Sequence, residues 1–192
     1  MDNPQFSSPV RADPSKLRFD PFRERDQVRK FDSGEPDLDD FLNTEEVEEY
    51  ERENLGHTPL VFYDGELVAY YTISSDGLRA EYVDARKLSA AHVKKSAQRI
   101  EAYPALKIGR FAVQRNWQSR GIGRLLIRRI AAIAVTTQPA VRLIILNAKP
   151  KAVPFYQKAG FVLTNEVRRE RGRVNRTMYL DVLSIQDAVL AD

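Results

Sequence analysis

The sequence predicts a single α/β domain, and three stretches carry that prediction. In the first, an apolar strand from Ile108 to Val113 runs through a short polar link, Gln114 to Trp117. It enters Gln118-Ser119-Arg120-Gly121-Ile122-Gly123 and opens onto Arg124-Leu125-Leu126-Ile127. In the second, an apolar strand from Val141 to Ala148 precedes Pro154-Phe155-Tyr156 and closes at Gly160-Phe161. In the third, apolar runs at Leu60 to Tyr63 and Leu67 to Ser74 are joined by Asp64-Gly65, the signature of a tight hairpin. A chain of 192 residues is sized for one domain with a substantial core.

Taken in order, residues 1–16 are expected to be disordered, because Met1 to Asp13 is rich in Pro, Ser and Asp. Leu17 to Val28 has room for a first strand and turn, in a poor pattern. Phe31 to Leu42 predicts a helix: Ser33 or Asp37 can cap it, Pro36 suits its entry, and Leu38, Phe41 and Leu42 share one face. The same helix is expected to continue through Tyr50 with an acidic outer face of Glu45, Glu46, Glu48, Glu49 and Glu53. Ala80 to Ala105 is the least legible stretch; it is read as a helix from Ser89 to Ile100, with Pro104 ending it. Ile122, Leu125, Leu126, Ile130, Ile133 and Ala134 recur at helical spacing, with Arg124, Arg128 and Arg129 on the polar side. Pro154 is tolerated in a first helical turn, and Gly160 is placed for a left-handed C-terminal cap with Phe161 packing back. Phe161 to Val167 and Thr177 to Val182 read as strands flanking a basic hairpin tip, Arg168 to Arg176. Residues 184–192 are read as a tail, and no internal repeat, domain linker or low-complexity tract is present.

Composition excludes several kinds of chemistry. The chain has no cysteine, so disulfides, thiolate metal sites and a cysteine nucleophile are out. His57 and His92 are its two histidines, too few for a histidine-rich centre, and no metal is expected. There is no membrane-length apolar run and no secretory signal, so the expectation is a cytoplasmic protein without membrane contact. The net charge of +3 hides an asymmetry: Met1 to Gly56 holds 16 acidic and 8 basic residues, whereas Lys107 to Leu180 holds 2 acidic and 16 basic. Such a basic half points to a polyanionic ligand.

The strand–glycine loop–helix unit supplies a place for one. A helix N-terminus presents unpaired backbone N–H groups at the positive end of its dipole. Phosphate binds there readily, and Gly121 and Gly123 lack a Cβ that would hold a diphosphate off the backbone. The spacing is neither the G-x-G-x-x-G of dinucleotide binders nor a P-loop.

The Q-x-x-G-x-G arrangement at Gln118 to Gly123, after a strand ending in Ala112-Val113, closely resembles the acetyl-CoA pyrophosphate loop of the GNAT superfamily of N-acetyltransferases. Asn147 at a strand end, followed by A-x-x-F-Y-x-x-x-G-F from Ala152 to Phe161, resembles that superfamily's second signature. The resemblance covers Leu17 to Leu183 and is weaker before Pro104. It implies one GNAT domain over 17–183, a mixed, mainly antiparallel twisted sheet flanked by helices, and fourth and fifth strands that splay apart to admit the donor. It also implies acetyl transfer from acetyl-CoA to a primary amine by direct attack.

By that resemblance, Tyr156 is the candidate general acid for the leaving thiolate; the alternative is a core tyrosine. Phe111, Ala112 and Val113 are candidates to hold the pantetheine arm through backbone N–H groups. Gln118, Ser119, Arg120, Gly121, Ile122, Gly123 and Arg124 are candidates for the pyrophosphate. Asn147 is a candidate for the cofactor arm or else a turn residue, and Arg120 and Arg124 are phosphate partners or solvated side chains. Trp117 is read as a loop anchor, and Arg110 points either into the cleft or across the sheet. Glu66, Glu81 and Glu101 are weak candidates for a base, which a water relay or an already neutral amine makes unnecessary.

The front pattern F-D-S-G-E-P-D-L-D-D-F-L with the later G-R-F-A-V resembles a bacterial branch that includes toxin acetyltransferases acting on aminoacyl-tRNA. The acidic segment Glu45 to Glu53 departs from that branch, because it would repel phosphate. The expected acceptor is therefore an amine of a small molecule or peptide, with aminoacyl-tRNA as the alternative. A non-catalytic module binding CoA or nucleic acid is a second alternative. tRNA, an antitoxin and a second copy of the chain are the candidate macromolecular partners.

Overall fold

The computed structural model describes residues 11–28, 30–89, 100–170 and 173–185, with side chains described except at 26, 166–170 and 173–174. Residues 1–10, the expected helix beyond Ser89, the end of the tail and the side chains of Arg168, Arg169, Arg171 and Arg173 lie outside this description. Packed structure begins before Leu17: Ala12 is buried in the core, and Pro14–Lys16 form a turn capped by Asp13.

Strands β1 (Leu17–Pro21), β2 (Pro59–Tyr63), β3 (Glu66–Arg79), β4 (Ala102–Val113), β5 (Leu143–Ala148), β6 (Val162–Glu170) and β7 (Arg173–Asp181) form one sheet in the order β1-β2-β3-β4-β5-β7-β6. All neighbours are antiparallel except β4 and β5, which run parallel. This is the mixed, mainly antiparallel sheet the resemblance implies. The β2–β3 hairpin turns at Asp64 (φ 49°) and Gly65 (φ 87°), as the Asp-Gly pair predicts. The basic stretch before Arg176 is mostly strand, because β6 and β7 extend well beyond the expected ends.

Strand alternation sends successive side chains to opposite faces, and each face carries its own helices. Tyr71, Ile108, Ile144 and Leu146 pack with Ile122, Leu126 and Ile130 of α3 (Ile122–Thr136) and Tyr156 of α4 (Val153–Lys158). Tyr70, Leu60 and Ala112 pack with Phe41 and Leu42 of α1 (Pro36–Asn43) and Val47 of α2 (Glu46–Arg52). Leu126 and Ile130 are fully buried. Burial of each contributes about 1.5–3 kcal/mol, so packing rather than propensity holds α3.

Three local expectations are corrected. The single acidic helix breaks into α1 and α2 at the extended Thr44, whose Oγ1 accepts from the Glu46 N–H at 3.3 Å. Asn43 fixes the break, accepting from the Phe31 N–H at 3.0 Å and donating to the Phe31 carbonyl at 2.8 Å. Glu35 occupies the N-cap position in place of Ser33 or Asp37, and Ser33 donates instead to Asp39 through both its N–H and its hydroxyl. Pro104, expected to end a helix, lies inside β4. Its carbonyl accepts from the Arg142 N–H, so its nitrogen also faces the β5 side, just ahead of where β5 begins. The missing N–H therefore costs no ladder bond.

Candidate active site

The β4–β5 ladder runs from Ala105↔Leu143 to Ile108↔Leu146 and ends there, although β4 continues to Val113 and β5 to Ala148. The two strands thus part at their C-terminal ends, as expected of a donor-admitting splay. A bulge coincides with the parting: the β3–β4 register shifts between Tyr71 and Ile73, setting Gly109 and Arg110 against Thr72. Thr72 Oγ1 accepts from the Arg110 N–H at 2.7 Å, and a Cβ on Gly109 would lie 2.7 Å from the same oxygen. Thr72 and Gly109 escaped the sequence reading; the available signal was a glycine inside a strand pattern.

The Gln114 N–H donates to Val68 on β3. By alternation Ala112 also turns its backbone to β3, while Phe111 and Val113 turn theirs toward the parting. Ala112, whose side chain is buried under α1 and α2, is thereby removed from the candidate backbone donors. Arg110 points across the sheet to that same face, its guanidinium 3.7 Å from the Phe41 ring centroid and paired with Glu46.

The glycine loop sits where β4 hands over to α3. Ser119 (φ 63°) and Gly121 (φ 87°) adopt left-handed backbone, which glycine tolerates and serine rarely does. Gly121 is the N-cap; its carbonyl accepts from the N–H groups of Arg124 and Leu125, leaving those of Ile122 and Gly123 without an acceptor in the helix. A Cβ on Gly121 would meet nothing within 4 Å, whereas one on Gly123 would lie 3.1 Å from the Phe155 ring. The loop is therefore open outward and close-packed inward.

Gln118 holds the loop in place: its amide donates to the Val113 carbonyl at 3.0 Å and the Ser33 carbonyl at 2.8 Å. Trp117 packs on Tyr63 and donates to Glu66 at 2.9 Å, an anchor as expected. Arg120 lies over the Trp117 ring, and Arg124 is exposed.

Tyr156 sits in an aromatic cluster with Phe111, Phe155 and Phe161 at centroid distances of 6.2, 5.0 and 5.6 Å. Burial pushes its phenol well above the ordinary tyrosine range. α4 ends in a double cap, with the Phe161 N–H on the Tyr156 carbonyl and the Gly160 N–H on the Gln157 carbonyl. That cap, with Phe161 against Tyr156, fixes the tyrosine. Asn147 Oδ1 accepts from Thr177 Oγ1 at 3.0 Å.

No proposed base reaches the parting. Glu66 is engaged by Trp117, and Glu81 pairs with Arg79. Glu101 immediately precedes β4, at the opposite end of the sheet. His57 pairs with Glu51 on the surface. Among the described residues there is no cluster able to hold a metal, and no helix long and apolar enough to cross a membrane.

Sequence reading also missed a seam of ion pairs across the mouth. Arg115 meets Asp32, Lys149 meets Glu35 and Asp37, and Lys151 meets Glu35. The opposite charges of the two halves were its signal. Burial opposes ionisation of Glu35, yet hydrogen bonds from Lys151 and Lys149 hold its carboxyl below the ordinary value.

Among known structures, a bacterial toxin superposes with a TM-score of 0.74 at 18% identity, covering 92% of this chain and 96% of the toxin. A mutant of KacT gives 0.73 at 18% identity over 90% and 99% of the two chains. AtaT complexed with acetyl-methionyl-tRNAfMet gives 0.69 at 18% identity over 90% and 98%. No curated protein matches in sequence. The family model for the acetyltransferase (GNAT) domain matches residues 80–182, which hold β4, the glycine loop, β5 and Tyr156. The chain therefore belongs to the GNAT acetyltransferases, enzymes that transfer acetyl from acetyl-CoA to an amine.

Proposed function

We propose that the acceptor is the α-amine of an aminoacyl-tRNA. The carrying observation is the pairing of charge around the parting. Arg110, Lys149 and Lys151 are drawn to it, each matched by a carboxylate of the front half, Glu46, Glu35 or Asp37. The acidic front is thus in part a counter-charge to the basic back, which weakens the argument that it repels phosphate. The likeness to AtaT with acetyl-methionyl-tRNAfMet, over 90% of this chain, supports the reading. Other neighbours are AtaT bound to the C-terminus of its antitoxin AtaR and a KacTA–DNA complex. A cytoplasmic toxin, held by an antitoxin and able to self-associate, belongs to the same reading.

In this mechanism the pyrophosphate of acetyl-CoA rests on the Ile122 and Gly123 N–H groups, with Arg124 beside it. Asn147 holds the arm through its amide nitrogen. The amine attacks the thioester carbonyl, a C–N bond forms, and negative charge grows on oxygen. Phe111 and Val113 N–H groups, freed from any ladder, are preorganised for that charge. The C–S bond then breaks, Tyr156 donates its proton to the leaving thiolate, and the phenolate regains a proton from water. Burial keeps the phenol protonated throughout the physiological range, as an acid requires. Among the described residues, the carboxylates nearest the parting, Glu35, Asp37 and Glu46, are committed to Lys149, Lys151 and Arg110, so the ammonium proton leaves to water.

A peptide or small cationic amine is the second reading, favoured by the exposure of the Glu45 and Glu53 side chains at 79% and 63%. Incubation with radiolabelled acetyl-CoA and either aminoacyl-tRNA or a panel of amines decides between them. Label on aminoacyl-tRNA and none on free amines is expected; the reverse pattern overturns the proposal.

A further inference from the structure

Glu35 stands at the N-cap of α1, yet its carboxylate makes no hydrogen bond to that helix. It reaches away, to Lys149 at 3.0 Å and to Lys151, while Asp37 of the first turn also meets Lys149. Two carboxylates that could complement the α1 dipole are thus committed to two lysines. Those lysines hold a telling position. Lys149 directly follows Ala148, the last residue of β5, and the turn Pro150–Ala152 containing Lys151 leads straight into α4 and Tyr156. The pair therefore lies on the rim of the parting, on the face covered by α1.

The contacts are accessible to water: side-chain exposure is 24% at both Lys149 and Glu35, 40% at Asp37 and 69% at Lys151. The Lys149–Glu35 pair is partly buried, but the Lys151 and Asp37 ends are open to solvent, where an ion pair contributes about 1 kcal/mol or less and another anion can reach the lysines. A phosphodiester offers a full negative charge and oxygens that lysine ammonium groups bind well.

We infer that Lys149 and Lys151 form a phosphate-binding pair for the acceptor, which Glu35 and Asp37 occupy as internal stand-ins until a phosphodiester displaces them. This rests on the aminoacyl-tRNA reading and names the part of that acceptor recognised: the phosphates beside its aminoacylated end. The carboxylates then act as a selectivity filter. An acceptor without phosphate gains nothing from the lysines, and one with phosphate must exceed the affinity of the stand-ins.

The test compares wild type, E35Q/D37N and K149Q/K151Q in acetylation of an aminoacyl-tRNA over a range of salt. The E35Q/D37N variant should lower KM about three- to tenfold with little change in kcat, since the competing anions are gone. The K149Q/K151Q variant should raise KM and flatten the slope of log KM against log salt by about 1.4, or ~0.7 for each single-strand phosphate left without its lysine. If wild type acetylates aminoacyl-tRNA and both variants match it in KM and salt slope, this inference is wrong while the acceptor reading stands. If wild type leaves aminoacyl-tRNA unlabelled, the acceptor reading falls and takes this inference with it. Should E35Q/D37N fail to fold by circular dichroism, the salt slope of K149Q/K151Q alone decides.

Discussion

The front and back of the chain both bury apolar side chains, but the front adds a set of polar pins. From Ile108 onward, regular strands, the apolar α3 and the double cap of α4 frame the candidate donor site. Before Thr58, short helices bury Phe41, Leu42 and Val47 and are further pinned by polar side chains: Asn43 on Phe31, Asp39 on Ser33, and Glu51 on the Thr58 N–H. Apolar burial is non-directional and tolerant, whereas these pins depend on single atoms. The contrast separates two tasks. The back fixes one donor in one geometry. In the proposed mechanism the front closes the acceptor side, through contacts that can be altered one by one.

That division makes ranked predictions. The largest effect belongs to the back: Tyr156→Phe should lower turnover about 10²–10⁴-fold while calorimetry shows acetyl-CoA affinity retained. Full turnover in that variant would strip the back of its catalytic role. Next, Gly121→Asp places a side chain where φ is 87° and a negative charge at an anion-binding helix end. Acetyl-CoA affinity should drop at least about tenfold, roughly 1.4 kcal/mol, in a protein whose circular dichroism is unchanged. Gly109→Ala should cost about 1–3 kcal/mol in urea unfolding, because its methyl meets Thr72 Oγ1 at the bulge; wild-type stability would mean that the bulge relaxes freely.

The smallest effect tests the seam between the halves. Glu35 has a depressed pKa, so its stabilising contribution is present above its ordinary value of 4.5 and is lost as pH falls through the folded value. For Lys149, burial opposes the charged form, but Asp37 and Glu35 raise its pKa above 10.5; its contribution is present below that and lost as pH rises through the folded value. Between these limits the seam is intact. Glu35→Gln should therefore flatten the acid limb of a stability–pH curve by no more than about 1 kcal/mol. An unchanged acid limb would place the seam outside folding stability altogether.

Legibility in the sequence follows the same divide. The α3 face, the Asp64-Gly65 hairpin and the Gly160 cap are local patterns, and each was readable. The family model matches the half where such patterns concentrate. The break at Thr44 was not readable, because it depends on Asn43 meeting Phe31, twelve residues earlier in the chain. Pro104 misled because its tolerance in β4 depends on where β5 begins. At the candidate site, the loop glycines stood out by their spacing, and Tyr156 through its resemblance to the family's second signature. Thr72, Gly109 and the Lys149–Glu35 seam act through partners distant in sequence, and only the charge imbalance hinted at the last.

The unzipped end of β4 carries a consequence for the protein's lifetime. A sheet with an opening in its middle has an internal edge, and in the proposed mechanism Phe111 and Val113 would gain ladder-like partners when the donor arm enters. Acetyl-CoA would then serve as a missing strand as well as a reagent. At a concentration 100 times its Kd, a ligand of the folded state alone adds about 2.7 kcal/mol to stability. The fraction of chains open to proteolysis would fall roughly a hundredfold in parallel. Were that stabilisation present in the cell, the lifetime of the chain would follow the supply of acetyl-CoA.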